Sequence, residues 1–453
     1  MKLRYQLARP EGVRIHVIGG TVLEAGGIRG RRCIDVTSPR IAEVLADLDQ
    51  RDVSELEVYA LAAVLGGQPL QRAVHECLSA LKRLQALSYV VRWGRQTVAR
   101  ILPLTGRSFW DRDATGSPGP LVLCSDAYLR FSKKGLHILA PTAYAEVIVN
   151  GTLINGLMAR VCDPCSSGSP SDPELCLLQH LLGDTGHLAA VNKGADDHAA
   201  QWPFADLLFH AASRLGNEWG SFGRHSGQSR PIPAVQPQRA AVSNIDLRAA
   251  ASTLPQTDLT FTAALDGRRS RRYPGPRPLS LAELAVFLSL AAEPRATDDQ
   301  AGGWRYPYPS GGGIYGFHIY VVIHRCFQLE PGLYRHAAED RALEKLDARP
   351  DQVELLAAHC GYALGLENAK PDAVLILTAE IGEFTARYDA IAYRLVLLGA
   401  GCLIQNMYLV ASALGLAGCA VGGGNPVLFA QIAGADPVTE PSVAEFALSG
   451  RAP

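Results

Sequence analysis

The sequence carries almost no net charge. Its 43 Lys and Arg residues are balanced by 44 Asp and Glu residues, and the formal net charge is −1 over 453 residues. Nucleic-acid binding driven by overall charge is therefore not expected. The first residues, MKLRYQLARPEGVRIHV, lack an apolar core and a small-residue cleavage site. The sequence therefore predicts no signal peptide.

A dense cysteine framework is also missing. Ten cysteines are scattered through the chain, which is not the pattern of a disulfide scaffold. Cys162 and Cys165 have a spacing used by metal and redox sites, but no second pair follows them, and Cys176 alone does not complete a four-ligand site. Free thiols are therefore favoured, and no metal is predicted. We expect a protein of the reducing cytoplasm.

Two nucleotide-binding fingerprints are absent. The sequence has neither a GxGxxG after a strand nor a GxxxxGK[ST]. One apolar run, residues 395–421, is long enough to cross a membrane, but it contains Gln405, Asn406 and several glycines. A buried core helix is the favoured interpretation, and no membrane span is expected.

The C-terminal half mixes strands and helices. Phe317–Ile323 alternates in a run of β-formers, and residues 372–380 read as a second strand. Ser280 is a good N-cap for a helix with an apolar stripe, and a long helix is predicted from about Tyr388 to Leu414. This order predicts an α+β domain.

The N-terminal half contains a weak internal echo. The segments CIDVTSPRIAEVL and LHILAPTAYAEVI share a predicted strand, a proline and an Ala-Glu-Val helix start. Helices at 53–65 and 70–87 are followed by a hairpin through Gly94, and a helix at 173–182 is followed by a short strand. Helices before a β wing suggest two winged-helix-like units, and such a unit can accept a peptide along a sheet edge. The predicted organisation is winged-helix-like domains at 1–105 and 120–222, a linker at 223–257, and a third domain at 258–453.

Three short stretches concentrate chemistry. Residues 268–272 read Arg-Arg-Ser-Arg-Arg, a group that grips phosphate through paired hydrogen bonds. A solvated basic loop is the alternative interpretation. Glycine clusters at 311–313 and 422–424 can let a planar ring or a phosphate approach the backbone. Together the three stretches fit an anionic, planar cofactor.

These stretches resemble a known family. Five segments are similar, in this order, to FMN-dependent nitroreductase-fold proteins. They are RRSRRY, YPSGGGIYGFHIYVV, PGLYRH, ARYDAIAYRLVLLGAGCLIQNMYLVASALGL and the final LSGRAP. More narrowly they resemble the SagB-type peptide dehydrogenases, the azoline oxidases of ribosomal peptide pathways. The likeness runs from about Trp202 to the C-terminus and rests mainly on layout over residues 1–200.

The resemblance implies FMN at a dimer interface, with α-helical residues 395–421 in the dimer core. Its implied cofactor contacts are Arg268, Arg269, Ser270 and Arg272 for the phosphate and pyrimidine edge, Pro309, Ser310, Gly311 and Gly312 along the isoalloxazine ring, Gln405 on the long helix, Gly422 and Gly423 at the N5 side, and Arg451 near the phosphate.

The implied reaction is oxidation of a peptide thiazoline or oxazoline to the aromatic azole. A base removes the Cα proton while a hydride moves to the flavin. Family members typically place a Lys-Tyr pair before the long helix, where this chain has Arg387 and Tyr388. Arginine stays protonated, so Tyr388 is the candidate base, with Arg387 stabilising its phenolate. The alternative is that Arg387 is a surface cation and Tyr388 a packing residue.

Two rival functions stay open at this stage. One is an NAD(P)H-dependent nitroreductase or flavin reductase for small molecules, which does not need so large an N-terminal half. The other is a peptide-binding scaffold with a degenerate flavin fold, which the intact arginine and glycine clusters disfavour. The implied partners are a precursor peptide, a cyclodehydratase and a second copy of the chain, with no nucleic acid and no membrane.

Overall fold

A computed structural model gives the architecture. It describes residues 2–10, 13–18, 22–27, 30–35, 38, 40–46, 53–83, 85–113, 121–124, 126–149, 173–190, 202–214, 240–252, 259–296, 304–366 and 369–451. The chain divides into two compact units, residues 1–228 with 389–391, and residues 229–388 with 392–453. Cys162, Cys165 and most of the predicted linker lie outside the described residues.

The N-terminal unit consists of four helices and thirteen strands within its described part. The helices are α1 (Ile41–Ala46), α2 (Glu55–Arg83), α3 (Pro173–Thr185) and α4 (Phe204–Ala212). The strands are β1 (Lys2–Ala8), β2 (Arg14–Ile18), β3 (Val22–Gly27), β4 (Gly30–Asp35), β5 (Val53–Ser54), β6 (Ser88–Trp93), β7 (Gln96–Pro103), β8 (Arg112–Asp113), β9 (Leu121–Leu123), β10 (Tyr128–Ser132), β11 (Gly135–Leu139), β12 (Ala145–Val149) and β13 (Leu188–Ala190).

One sheet spans both predicted winged-helix-like units. Its strands run in the order β10-β11-β12-β7-β6-β1-β5, with β8 also paired to β1. The join is antiparallel pairing of β7 with β12, in which Ile101 lies opposite Val147. The predicted boundary at residues 105–120 therefore falls inside one compact unit with one continuous core. A peptide-binding role for this unit stays a prediction.

The predicted hairpin and the predicted break between two helices are both present. Strands β6 and β7 pair through a turn at Gly94, whose φ is +63°. Helix α2 loses helical geometry at Gly66 and Gly67, as expected for glycines. The break lets Lys82 Nζ reach Glu55 Oε1 at 3.0 Å inside the core. In a straight helix those residues would be about 40 Å apart, so the two halves of α2 fold back on each other.

The helix start predicted for the second Ala-Glu-Val segment of the internal repeat is wrong. The first Ala-Glu-Val lies in α1, as predicted, but Ala145, Glu146 and Val147 form β12. Ala145 and Val147 are buried between neighbouring strands. Tertiary pairing therefore overrides the helical preference of the tripeptide.

The C-terminal unit consists, in its described part, of seven helices and eleven strands. The helices are α5 (Leu247–Ala251), α6 (Phe261–Gly267), α7 (Leu281–Ala291), α8 (Pro350–Ala363), α9 (Ile381–Thr385), α10 (Ala392–Leu414) and α11 (Pro426–Ala433). The strands are β14 (Ala241–Asp246), β15 (Leu279–Ser280), β16 (Arg295–Ala296), β17 (Trp304–Arg305), β18 (Phe317–Ile323), β19 (Cys326–Phe327), β20 (Gly332–Ala337), β21 (Ala342–Leu346), β22 (Ala373–Ala379), β23 (Leu416–Val421) and β24 (Ser442–Arg451).

A seven-stranded sheet with helices on both faces forms this unit. The strand order is β14-β21-β20-β18-β22-β24-β23, and each pair of neighbouring strands is antiparallel. Successive side chains of β22 point to opposite faces: Leu375 packs with α7 and α10, and Ile376 packs with α8 and α11. The α+β class predicted from the sequence is confirmed.

Two helix predictions in this unit are confirmed, with one shifted start. Ser280 caps α7 in a capping box with Glu283. The long apolar helix α10 begins at Ala392 rather than Tyr388. Within the described residues it is the one helix long and apolar enough to cross a membrane. It packs against α7, β23 and β24, as a core helix of the sheet does.

Candidate active site

The Gly-rich loop before β18 is a tight turn. Gly311–Gly313 form one turn of 3-10 helix, and Gly312 and Gly313 both have φ +68°. The Ser310 hydroxyl donates to the Ile314 carbonyl and fixes the turn. A Cβ on Gly311 would lie 2.9 Å from Leu395 Cδ2. Gly311 is therefore small because α10 packs against it, and Gly312 because its φ suits glycine.

Both candidate catalytic residues lie at this loop. A Cβ on Gly312 would be 2.4 Å from the Tyr388 hydroxyl oxygen, so that hydroxyl rests on the Gly312 backbone. Arg387 Nη1 donates to the Gly312 carbonyl oxygen at 3.4 Å. The structure therefore brings Tyr388, Arg387 and the Gly-rich loop together.

The arginine-serine stretch follows α6 and contacts Tyr408 of α10. Ser270 Oγ is 3.0 Å from the Tyr408 hydroxyl, and the Arg268 guanidinium lies 5.6 Å from the centre of the Tyr408 ring. Arg271 N–H donates to the Gly418 carbonyl at 3.0 Å. The stretch is thus fixed to α10 and β23 through its backbone and its serine.

The arginine side chains of this stretch are left without carboxylate partners. Arg269 Nη1 donates to the carbonyls of Asp266 and Arg268, at 2.9 and 2.8 Å. Among the described residues, no Asp or Glu pairs with Arg268, Arg269, Arg271 or Arg272. A cluster of unneutralised guanidinium groups favours an anionic ligand.

The second glycine cluster differs from the first. Gly422 and Gly423 are exposed, and a Cβ on either would meet nothing within 4 Å. Gly424 is different, because its Cβ would be 2.0 Å from Glu445 Oε1. Glu445 is 5% exposed, and burial raises the pKa of its carboxyl above the ordinary value. The open backbone at Gly422 and Gly423 can accommodate a ring.

Two predicted site residues are not joined to these clusters in the described contacts. The Gln405 side chain is exposed on α10, while neighbouring Asn406 donates to the Ala291 carbonyl at 2.7 Å. The backbone of Arg451 pairs with Leu416 at the end of β24, and its side chain lies outside the described atoms. Their predicted roles stay predictions.

Sequence reasoning missed two residues of the site. Tyr408 links Ser270 to β23, because its hydroxyl also accepts a hydrogen bond from Ala420 N–H at 2.8 Å. Its only signal was a phenol within a very apolar helix. Glu445 was missed because it stands in a strand that reads as plain core, EFALSG.

The Gly-rich loop and the arginine stretch meet α10 on opposite faces. The loop packs at Gly399, whose Cβ would be 3.5 Å from Ser310 Oγ, and the arginine stretch packs at Tyr408. These helix positions are nine residues apart, which is about two and a half turns. The two clusters of one chain therefore face different sides of the helix.

Comparison with known proteins identifies the C-terminal unit. A family model described as the nitroreductase family matches residues 265–446. A nitroreductase-type protein of Methanocaldococcus jannaschii is 31% identical over 161 residues, which are 34% of this chain and 74% of that protein. The chain belongs to the nitroreductase family. Every predicted site residue except Arg451 lies within the matched range.

Solved structures give weaker likenesses. The Escherichia coli microcin synthetase McbBCD complex with truncated pro-MccB17 has 20% identity and a TM-score of 0.35, covering 49% of this chain and 78% of that one. A nitroreductase-type protein from Desulfovibrio desulfuricans, solved in complex with FMN, has 19% identity and a TM-score of 0.29, covering 44% of this chain and 89% of that one. The family assignment rests on the sequence matches.

Proposed function

We propose that the protein is an FMN-dependent peptide dehydrogenase of the SagB type, which oxidises thiazoline or oxazoline rings of a ribosomal peptide to thiazoles or oxazoles. Membership of the nitroreductase family supports the flavin oxidoreductase part of this proposal. The observation that carries the peptide oxidation is the placement of the Tyr388 hydroxyl on Gly312, with Arg387 bonded to the same residue.

The described residues fit FMN. Arg268, Ser270 and Arg272 would hold its phosphate, because their guanidinium groups have no acidic partner and the serine hydroxyl is exposed beside them. Gly422 and Gly423 would lie along the ring, where a side chain would otherwise fill the space. Bound FMN supplies the acceptor for two electrons.

Tyr388 has the role of base in this proposal. Conversion of an azoline to an azole removes one proton and one hydride from the ring, so the protein must provide a group that takes the proton. The side-chain oxygen of Tyr388 is the proposed acceptor of the proton from Cα. The Arg387 guanidinium donates to the Gly312 carbonyl and so places a positive charge at the loop that the Tyr388 hydroxyl contacts.

The direct test is anaerobic flavin reduction by an azoline peptide. Wild-type protein should be purified yellow and release FMN, and the peptide should bleach the flavin band. Tyr388→Phe keeps the ring and should retain FMN but react about 10²–10⁴-fold more slowly, the usual contribution of general acid–base catalysis. Tyr362→Phe, on a tyrosine that is 86% exposed, is the matched control.

Three outcomes would count against the proposal. A colourless protein that cannot be reconstituted with FMN would exclude the flavin enzyme. Equal reduction rates for Tyr388→Phe and wild type would place the base elsewhere. Rapid reduction by NAD(P)H with none by an azoline peptide would favour the small-molecule nitroreductase.

The flavin site is proposed to be shared between two copies of the chain. The Gly-rich loop and the arginine stretch lie on opposite faces of α10, which favours a flavin that takes one cluster from each of two chains. A two-fold partner packed on α10 would supply the missing cluster. The exposed apolar side chains on that helix, which include Leu397 and Leu398, are suited to such an interface.

We assign residues 1–200 to recognition of the precursor peptide. A cyclodehydratase is proposed as the enzyme that supplies the azoline rings, and the cytoplasm as the place where both act. Among the described residues, β10 lies at one edge of its sheet with Arg130, Phe131 and Ser132 exposed, and such an edge can accept an added peptide strand. Hydrogen exchange on the full chain, with and without the precursor peptide, should show protection in the N-terminal unit. Protection confined to the C-terminal unit would refute this assignment.

A further inference from the structure

A cavity of about 500 Å³ lies in the C-terminal unit beside the Gly-rich loop, because Tyr308, which precedes Pro309, and Tyr315 both line it. It opens where β18 begins and where the β20–β21 hairpin turns, and α9 closes one side. Its volume is within the range of small-ligand sites. No arginine of the 268–272 stretch and no glycine of either cluster lines it.

One wall of the cavity is aromatic. Tyr306 and Tyr315 stack with ring centres 4.3 Å apart, and Tyr308 meets each of them edge-on at 5.7 Å. Tyr308 is only 4% exposed, and no described residue gives its hydroxyl a hydrogen bond. Burial raises the pKa of Tyr308, and the neighbouring phenols of Tyr306 and Tyr315 raise it further. The Tyr308 hydroxyl therefore stays protonated and neutral. The wall presents electron-rich rings and a tyrosine hydroxyl that has no hydrogen-bond partner among the described residues.

The remaining wall carries an excess of negative charge. Among the described residues, the carboxylates of Glu339, Asp340 and Glu383 have no cationic partner, and all three line the cavity. The positive groups nearby are already engaged. Arg335 Nε donates to Glu344 at 2.6 Å, and His318 Nε2 lies 2.7 Å from Glu380 Oε1.

This combination distinguishes between ligand classes. Unpaired carboxylates repel a phosphate or a carboxylate, so the cavity does not suit an anion. An ammonium or guanidinium group is attracted both by the carboxylates and by the faces of tyrosine rings. The methylene stem of such a side chain also packs well on aromatic surfaces.

We propose that this cavity is a binding site for an organic cation, namely a lysine or arginine side chain of a peptide or a free polyamine. None of the lining residues is one assigned to FMN, so the proposal does not depend on azoline oxidation. It gives the protein a second recognition point for a basic ligand.

The test is calorimetric titration of the full-length protein with three probes: capped arginine amide, capped norleucine amide and spermidine. Capped arginine should bind at least about ten-fold more tightly than capped norleucine, since a charge-assisted contact stabilises by about 1.5–3 kcal/mol. Raising the salt concentration should weaken the binding of capped arginine and of spermidine and leave the binding of capped norleucine unchanged.

Variants locate the binding. The double variant Glu339→Gln, Asp340→Asn should weaken the binding of capped arginine by about ten-fold. Tyr306→Leu should weaken the same binding by about two- to thirty-fold, because it removes the ring face. Glu43→Gln, an exposed carboxylate in the N-terminal unit, is the matched control and should change nothing. Circular dichroism of each variant excludes unfolding as the cause.

The outcomes separate the sources and can overturn the site. Tighter binding of capped arginine than of spermidine identifies a peptide side chain, and the reverse order identifies a polyamine. Equal binding of arginine and norleucine, no binding at millimolar probe, or unchanged affinity in the Glu339/Asp340 double variant refutes the proposal.

Discussion

Replacing Asp372 by alanine is expected to destabilise the C-terminal unit by about 3–6 kcal/mol. The Asp372 side chain is 0% exposed and lies just before β22. Its Oδ2 accepts hydrogen bonds from the backbone N–H groups of Leu279, at 2.8 Å, and Gly450, at 2.9 Å. Its Oδ1 accepts from Arg325 Nε at 2.7 Å. One carboxylate therefore joins the entry to α7 to the end of β24.

The magnitude follows from these three bonds. Alanine leaves two buried N–H donors unpaired, and each unpaired donor costs about 1–3 kcal/mol. The bond to Arg325 contributes less, because that side chain is 44% exposed and water can replace the carboxylate. Asp372→Asn keeps the shape and leaves one oxygen to accept both N–H groups, so it should lose about half as much as alanine.

Hydrogen exchange measured in increasing urea, on peptides from β22 and β24, reports this unit separately from the N-terminal one. Wild type, Asp372→Asn and Asp372→Ala should rank in that order of protection. If Asp372→Ala lowers the opening free energy by less than about 1 kcal/mol, the three hydrogen bonds are not the restraint inferred from the structure.

Three further results are expected. Arg272→Ala should lose most of the bound FMN, measured by flavin absorbance per chain, whereas Arg295→Ala, an exposed arginine outside the cluster, should keep it; equal flavin contents would contradict the phosphate assignment. Wild type should scatter light as a dimer, twice 48.5 kDa, and Leu398→Glu, at a position 57% exposed on α10, should give the single mass, whereas Leu355→Glu on α8 should not. Burial raises the pKa of Glu445 in the folded state above the ordinary 4.5. The protonated carboxyl therefore makes its whole contribution to the free energy of unfolding below pH 4.5, and this contribution is lost as the pH rises through the folded-state pKa. Glu445→Gln should therefore be more stable than wild type at pH 7, with a difference that shrinks towards pH 4; a difference independent of pH would contradict the assignment.

Local chemistry accounts for the parts of the fold that the sequence predicted. Gly94 takes a positive φ in the hairpin turn, the Ser280–Glu283 capping box starts α7, and alternation of β-formers marks β18. Each signal acts within a few residues, so no knowledge of the rest of the chain is needed.

Long-range pairing accounts for what the sequence did not predict. Glu146 lies in a strand because β7 and β11 pair on either side of it, although the same tripeptide is helical in α1. The cavity was missed for a related reason. Its tyrosines and carboxylates come from segments 306–319, 335–340 and 380–383, which sheet formation alone brings together.

The two glycine clusters show how one sequence pattern serves two physical needs. Both were predicted to open the backbone to a cofactor. In the structure Gly311 leaves room for Leu395 of α10, and Gly312 leaves room for the Tyr388 hydroxyl. Among the described residues, Gly422 and Gly423 have no neighbour that excludes a Cβ, so packing in that part of the chain does not explain them. The packing of Leu395 and Tyr388 explains the crowded pair, and a ligand that approaches the backbone, as in the proposed function, would explain the open pair.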